Sequence, residues 1–101
     1  MDAFDALADP TRRRIVELLA RRGDLTAGEL ASQFDSARPT ISRHLRVLRE
    51  AGVVRTRAVA QERYYMLESA TLEHVQDWLA RQRALWFKRL RALETRLEGH
   101  E

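Results

Sequence analysis

The last third of the chain carries an apolar stripe too long for the rest of the chain to cover. Apolar residues fall at Leu72, Val75, Leu79, Trp86, Leu90, Leu93 and Leu97, three or four apart, with Gln82 filling the one gap. That spacing predicts an amphipathic helix over residues 70–98, and Trp78 and Leu85 widen its apolar face. At ~1.5 Å per residue such a helix runs roughly 40 Å. A head built from the preceding residues cannot shield a face of that length. The surplus needs another partner, and a second copy of the chain is the simplest one.

The remaining composition narrows the chemistry. A chain of 101 residues is expected to form one domain over 1–101. There is no cysteine, so disulfides, thiolate metal sites and thiol catalysis are excluded. No apolar run approaches the ~18–20 residues of a membrane span, so no membrane partner is expected. The start, Met1-Asp2-Ala3-Phe4-Asp5, is acidic and lacks the basic and apolar segments of a signal peptide, which predicts a cytoplasmic location.

Before the long helix, the punctuation is that of a small helical head over 9–52. Asp9-Pro10 reads as an N-cap followed by proline in the first turn, with Ile15, Leu18 and Leu19 facing inward and Gly23 as the stop. Thr26-Ala27-Gly28-Glu29 is a capping box that opens a short helix with Leu30, Ala31 and Phe34 turned inward. Ser36 is expected to cap a further helix whose buried stripe is Ile41, Leu45 and Leu48 and whose end is Gly52. Two short strands follow over 53–67, Val53 to Ala58 and Arg63 to Leu67, with a turn at Ala60-Gln61 that lacks the usual hairpin glycine. The expected fold is mainly α with a small β-hairpin: a winged helix-turn-helix, dimeric through its terminal helices.

Charge is concentrated where such a fold would touch DNA. Residues 36–63 hold seven arginines against Glu50 and Glu62, while the whole chain nets only +3. With Ile41, Leu45 and Leu48 inward, Pro39, Ser42, Arg43 and Arg46 turn outward, and Arg38 and Thr40 sit in the first turn. Arginine bonds bidentately to guanine, and serine or threonine to phosphate or base. On the hairpin, Arg55, Arg57 and Arg63 are expected to reach the flanking backbone or minor groove. His44 lies beside the buried stripe and reads as a packed, hydrogen-bonded histidine, and Tyr64 and Tyr65 as strand packing.

These segments resemble one family in order and spacing. Ala6-Leu7-Ala8-Asp9-Pro10-Thr11-Arg12-Arg13-Arg14-Ile15 is similar to the opening of the ArsR family of bacterial repressors. Glu29-Leu30-Ala31 and Ser36 through Leu48 resemble its helix-turn-helix, and Ala51-Gly52-Val53-Val54 with Arg63-Tyr64-Tyr65-Met66-Leu67 its wing. The resemblance implies a homodimer joined by the first and last helices; Phe4 and Leu7, apolar residues near the long stripe, are expected to join that interface. It also implies binding to an inverted-repeat promoter operator and repression by blocking polymerase.

The chain departs from the family in three places. Where many members place metal-binding cysteines, it has Glu29-Leu30-Ala31-Ser32-Gln33. His74, Asp77, Glu94, Glu98 and His100 form only part of the carboxylate–histidine pattern that other members carry on the last helix. Ala60 stands where a wing glycine is common. The expectation is therefore a repressor with no metal and no cofactor. Two alternatives stand beside it: a protein-interaction module pairing through the long helix, and a metal- or ligand-responsive sensor using that helix. An enzyme is not expected, because His44, His74 and His100 are scattered and no catalytic constellation forms.

Overall fold

The computed structural model describes residues 1–99. Its elements in chain order are α1 (Ala3–Leu7), α2 (Pro10–Arg22), β1 (Leu25–Thr26), α3 (Ala27–Ala31), α4 (Arg38–Glu50), β2 (Val54–Val59), β3 (Glu62–Leu67) and α5 (Ser69–Glu98). The architecture is mainly helical, with a small antiparallel sheet in the order β1-β3-β2.

Local chemistry explains most boundaries. Asp9 accepts from the Arg12 amide at 3.0 Å and starts α2, and Gly23, with φ 80, ends it. Thr26 and Glu29 form both bonds of their capping box, each at 3.1 Å, which starts α3. The end of α4 is a Schellman closure: the Gly52 amide donates to the Arg49 carbonyl at 3.0 Å and the Val53 amide to the Leu48 carbonyl at 2.9 Å. Gly52 adopts φ 77, and a methyl group there would also meet Thr71 Oγ1 at 3.4 Å.

One boundary differs from the sequence expectation. Ala37, not Ser36, is the N-cap of α4, and no side chain caps it. A cap at residue 36 would direct its hydroxyl to the amides of residues 38 and 39, and proline at 39 has none to offer. The periodicity also gave no sign of two small elements. Helix α1 has five residues, held by a capping box between Asp2 and Asp5. Strand β1 has two, pairing Leu25 with Tyr65 and Thr26 with Tyr64.

The core gathers Ala6, Ile15, Leu19, Leu25, Leu30, Ile41, Leu45, Leu48, Val53 and Val54, with Leu7, Leu18, Phe34, Tyr65, Leu67 and Leu72 packed around it. All of its buried members precede α5. Helix α5 has no buried residue in its 30 residues. The molecule measures 71 × 26 × 24 Å with a radius of gyration of 19.2 Å, against ~13 Å for a compact chain of this size. The projecting rod carries Leu79, Leu85, Trp86, Phe87, Leu93 and Leu97 in the open, Trp86 at 60% exposure.

Candidate nucleic-acid interface

Helix α4 has two unlike faces. Ile41, Leu45 and Leu48 are wholly buried. Arg38, Pro39, Ser42, Arg43, Arg46 and Arg49 are exposed, and Thr40 is half-buried. Pro39, Ser42, Arg43 and Arg46 line one shallow recess along the outer face. Arg38 departs from this group: its guanidinium lies back over α3, 3.9 Å from where a side chain on Gly28 would begin.

The hairpin sorts its arginines by strand register. Arg55 pairs with Met66, Arg57 with Tyr64 and Ala58 with Arg63. Alternation therefore places Arg55 and Arg57 on one face and Arg63 on the other. Arg55 sits at the wing root, its Nε 3.6 Å from Glu68 Oε2. Glu68 is also the N-cap residue of α5, accepting from the Ala70 amide at 3.4 Å. The tip turns at Ala60, which takes φ 56 in the left-handed region.

Among the described residues, the arginine–carboxylate contact is Arg55–Glu68, and His44 Nδ1 lies 4.0 Å from Asp9 Oδ2. Arg38, Arg43, Arg46, Arg49, Arg57 and Arg63 have no carboxylate partner there. Cations without counter-charges create a positive field suited to a polyanion.

A polar cluster behind α4 was only half legible in sequence. His44 is packed, as its place beside the stripe suggested, with its Nδ1 3.3 Å from Arg12 Nη1 and 4.0 Å from Asp9 Oδ2. The Arg12 amide bonded to the Asp9 carboxylate holds that carboxyl below its ordinary value of 3.8, aided by the charge of Arg12 and opposed by partial burial. The Asp9–Arg12 spacing was the available signal, but nothing local points from Arg12 to a residue on α4.

The residues expected at an interface between copies lie apart from this surface. Phe4, Leu79, Trp86, Leu93 and Leu97 are exposed, and Leu7, Leu72, Val75 and Leu90 are half-buried. His74, Asp77, Glu94 and Glu98 are exposed along α5, and no three His, Asp or Glu side chains gather as a metal site among the described residues. His100 lies outside the described residues. No described helix is long and apolar enough to cross a membrane.

Comparison with known proteins bears on what this surface is. A family model described as a helix-turn-helix domain matches residues 7–57. The transcriptional repressor SdpR of Bacillus subtilis is 40% identical over 78 residues, covering 77% of this chain and 86% of SdpR. An ArsR-like transcriptional regulator from Rhodococcus sp. RHA1 superposes with a TM-score of 0.84 at 35% identity, covering 97% of this chain and 89% of that one. The chain belongs to the ArsR family. It is a DNA-binding transcriptional repressor of winged helix-turn-helix architecture. Relatives in the ArsR family differ in length: the arsenical resistance operon repressor of Escherichia coli is 38% identical over 78 residues, which are 63% of its length. In the ArsR frame α4 is the recognition helix and the β2–β3 hairpin is the wing.

Proposed function

We propose that the protein is a cytoplasmic, non-enzymatic repressor that acts as a homodimer on an inverted-repeat promoter operator. The observation that carries DNA reading is the outer face of α4: Pro39, Ser42, Arg43 and Arg46 share one recess, and its arginines have no carboxylate partner among the described residues. Arg43 reads base edges, Arg46 and Ser42 support it, and Arg38 and Thr40 act at the start of the helix. Arg57 and Arg63 on the wing bind phosphates. Arg55, tied to Glu68, contributes through the field of the site.

The rod supports the homodimer. An amphipathic helix of 30 residues with none buried leaves Leu79, Trp86, Leu93 and Leu97 in water. A second α5 covers them, with Phe4, Leu7, Leu72, Val75 and Leu90 completing the interface. Head 9–52, wing 53–67 and helix 70–98 then work as one domain in each subunit. Two recognition helices are set about 34–36 Å apart for successive major grooves.

The test is selection of duplexes from a random pool by the purified protein, followed by fluorescence anisotropy on the selected and scrambled sequences. A palindromic consensus bound by two chains per duplex is the expected result. Selection of a single asymmetric half-site, or of nothing, would overturn this reading.

A further inference from the structure

We infer that Arg12 is a positioning residue for DNA recognition: it pegs the recognition helix to α1 through His44. The reasoning begins with a carbonyl. Ala6 is wholly buried, and in a continuing helix its carbonyl would accept from the amide of residue 10. Residue 10 is proline, which has no N–H. A buried carbonyl left unpaired costs about as much as a lost hydrogen bond. Arg12 Nε fills the gap, donating to the Ala6 carbonyl at 2.7 Å. Its Nη2 donates to the neighbouring Asp5 carbonyl at 3.3 Å.

Two nitrogens of the guanidinium are thereby committed to the end of α1. The third, Nη1, faces His44 Nδ1 on α4 at 3.3 Å. A guanidinium only donates, so Nδ1 must accept, and the ring proton sits on Nε2. The charged groups facing His44 are Arg12 from α2 and Asp9 from its cap. A planar fork that satisfies three acceptors fixes direction as well as distance, which a lysine ammonium cannot do.

The consequence concerns the reading face. His44 follows Ser42 and Arg43 directly and precedes Arg46 by two residues. Helix α1 carries Phe4, which packs on Trp78 of α5. Arg12 therefore joins the helix that reads DNA to the helices that lie against the proposed partner. It touches no base itself; it holds α4 at the angle from which Ser42, Arg43 and Arg46 act together. This rests on α4 reading DNA, as proposed above.

The test uses the full chain and four forms: wild type, His44→Leu, His44→Asn and Arg12→Lys. Asparagine can return an acceptor near the Nδ1 position, whereas leucine cannot. For His44→Leu the expected result is an unchanged assembly by light scattering, a melting temperature close to wild type, and about tenfold weaker binding to the selected duplex. Binding of the scrambled duplex should hardly change. His44→Asn should recover most of the missing affinity. In wild type, nitrogen NMR of the His44 ring should show an accepting Nδ1 and a protonated Nε2, and Arg12→Lys should remove the accepting signature. Equal loss on both duplexes, no rescue by asparagine, or a ring spectrum indifferent to Arg12→Lys would overturn the inference while leaving DNA reading intact. A wild-type chain that selects no duplex would instead sink the functional reading and this inference with it.

Discussion

The ring of Phe4 in α1 meets the indole of Trp78 in α5 edge to face, with centroids 5.1 Å apart and planes at 64°. Both side chains remain about two-fifths exposed, at 40% and 42%. The pair fastens the base of the rod to the head while leaving an apolar rim for a neighbour. Edge-to-face aromatic pairs contribute about 0.5–1.5 kcal/mol beyond area burial. A double-mutant cycle of Phe4→Leu and Trp78→Leu, read by chemical denaturation, should return a coupling in that range. A coupling near zero would mean that the two rings merely share a location.

Leu90 and Leu93 lie in the distal half of α5, beyond any part of the head. Light scattering of the wild type should give twice the chain mass. Replacing both residues with glutamate should give single chains and abolish specific DNA binding together, because one reading head touches only half a site. Since the head core lies elsewhere, far-UV circular dichroism at low temperature should still report a folded head.

Arg43 and Arg57 should fail in different ways. Arg43→Ala should cost ~1–3 kcal/mol on the selected duplex and relax preference at one position in each half-site. Arg57→Ala should weaken selected and scrambled duplexes alike. It should also flatten the salt dependence by about 0.9 for each phosphate left unneutralised, doubled in a dimer. Anisotropy titrations at several salt concentrations separate the two patterns, and the opposite assignment would reverse helix and wing.

Asp9 sets an acid limit on α2. Its folded-state pKa lies below the ordinary 3.8, chiefly because its carboxylate accepts from the Arg12 amide. A depressed carboxylate stabilises the fold above its unfolded value, and that contribution disappears as pH falls through the folded value. Asp9→Ala should therefore cost about 1 kcal/mol at neutral pH. The gap to wild type should narrow as pH drops below 3.8, measured by urea melts across pH. A gap that stays constant into acid would show that the carboxylate charge has no part in it.

Ala60 is the one non-glycine residue in the left-handed region among those described. An L-residue there bears about 1–2 kcal/mol of strain, partly offset by the smaller entropy it loses on folding. Ala60→Gly should stabilise the wing modestly, by up to about 1 kcal/mol, and leave DNA specificity unchanged. A melting scan at fixed protein concentration reads the first effect and duplex titration the second.

Much of the fold was legible in the sequence, because caps and periodicity are local signals. Asp9, Thr26 and Gly52 mark helix ends by chemistry that acts within four or five residues, and Ile41, Leu45 and Leu48 fix which side of α4 is outer. The opposite facing of Arg57 and Arg63 was also within reach, since a two-residue turn at 60–61 sets 57 across from 64 and 58 across from 63. Helix α1 and strand β1 escaped because five and two residues are too few to show a period. The link from Arg12 to His44 spans 32 positions, and only folding brings such residues together. The Ser36 cap failed for a stereochemical reason, the missing amide of Pro39.

Glu68 alone separates β3 from α5, and three ties act at that residue. Its amide donates to the Val53 carbonyl at 2.9 Å, its carboxylate lies 3.6 Å from Arg55, and the same group caps α5. Hairpin and rod thus meet at one residue whose backbone and carboxylate are both engaged. A hairpin with six-residue strands is an arm of roughly 20 Å, and the rod is one of about 45 Å. At the shorter arm length a tilt of the hairpin by about 10° at its root moves the wing tip by roughly 3–4 Å, which is the distance between touching a phosphate and missing it.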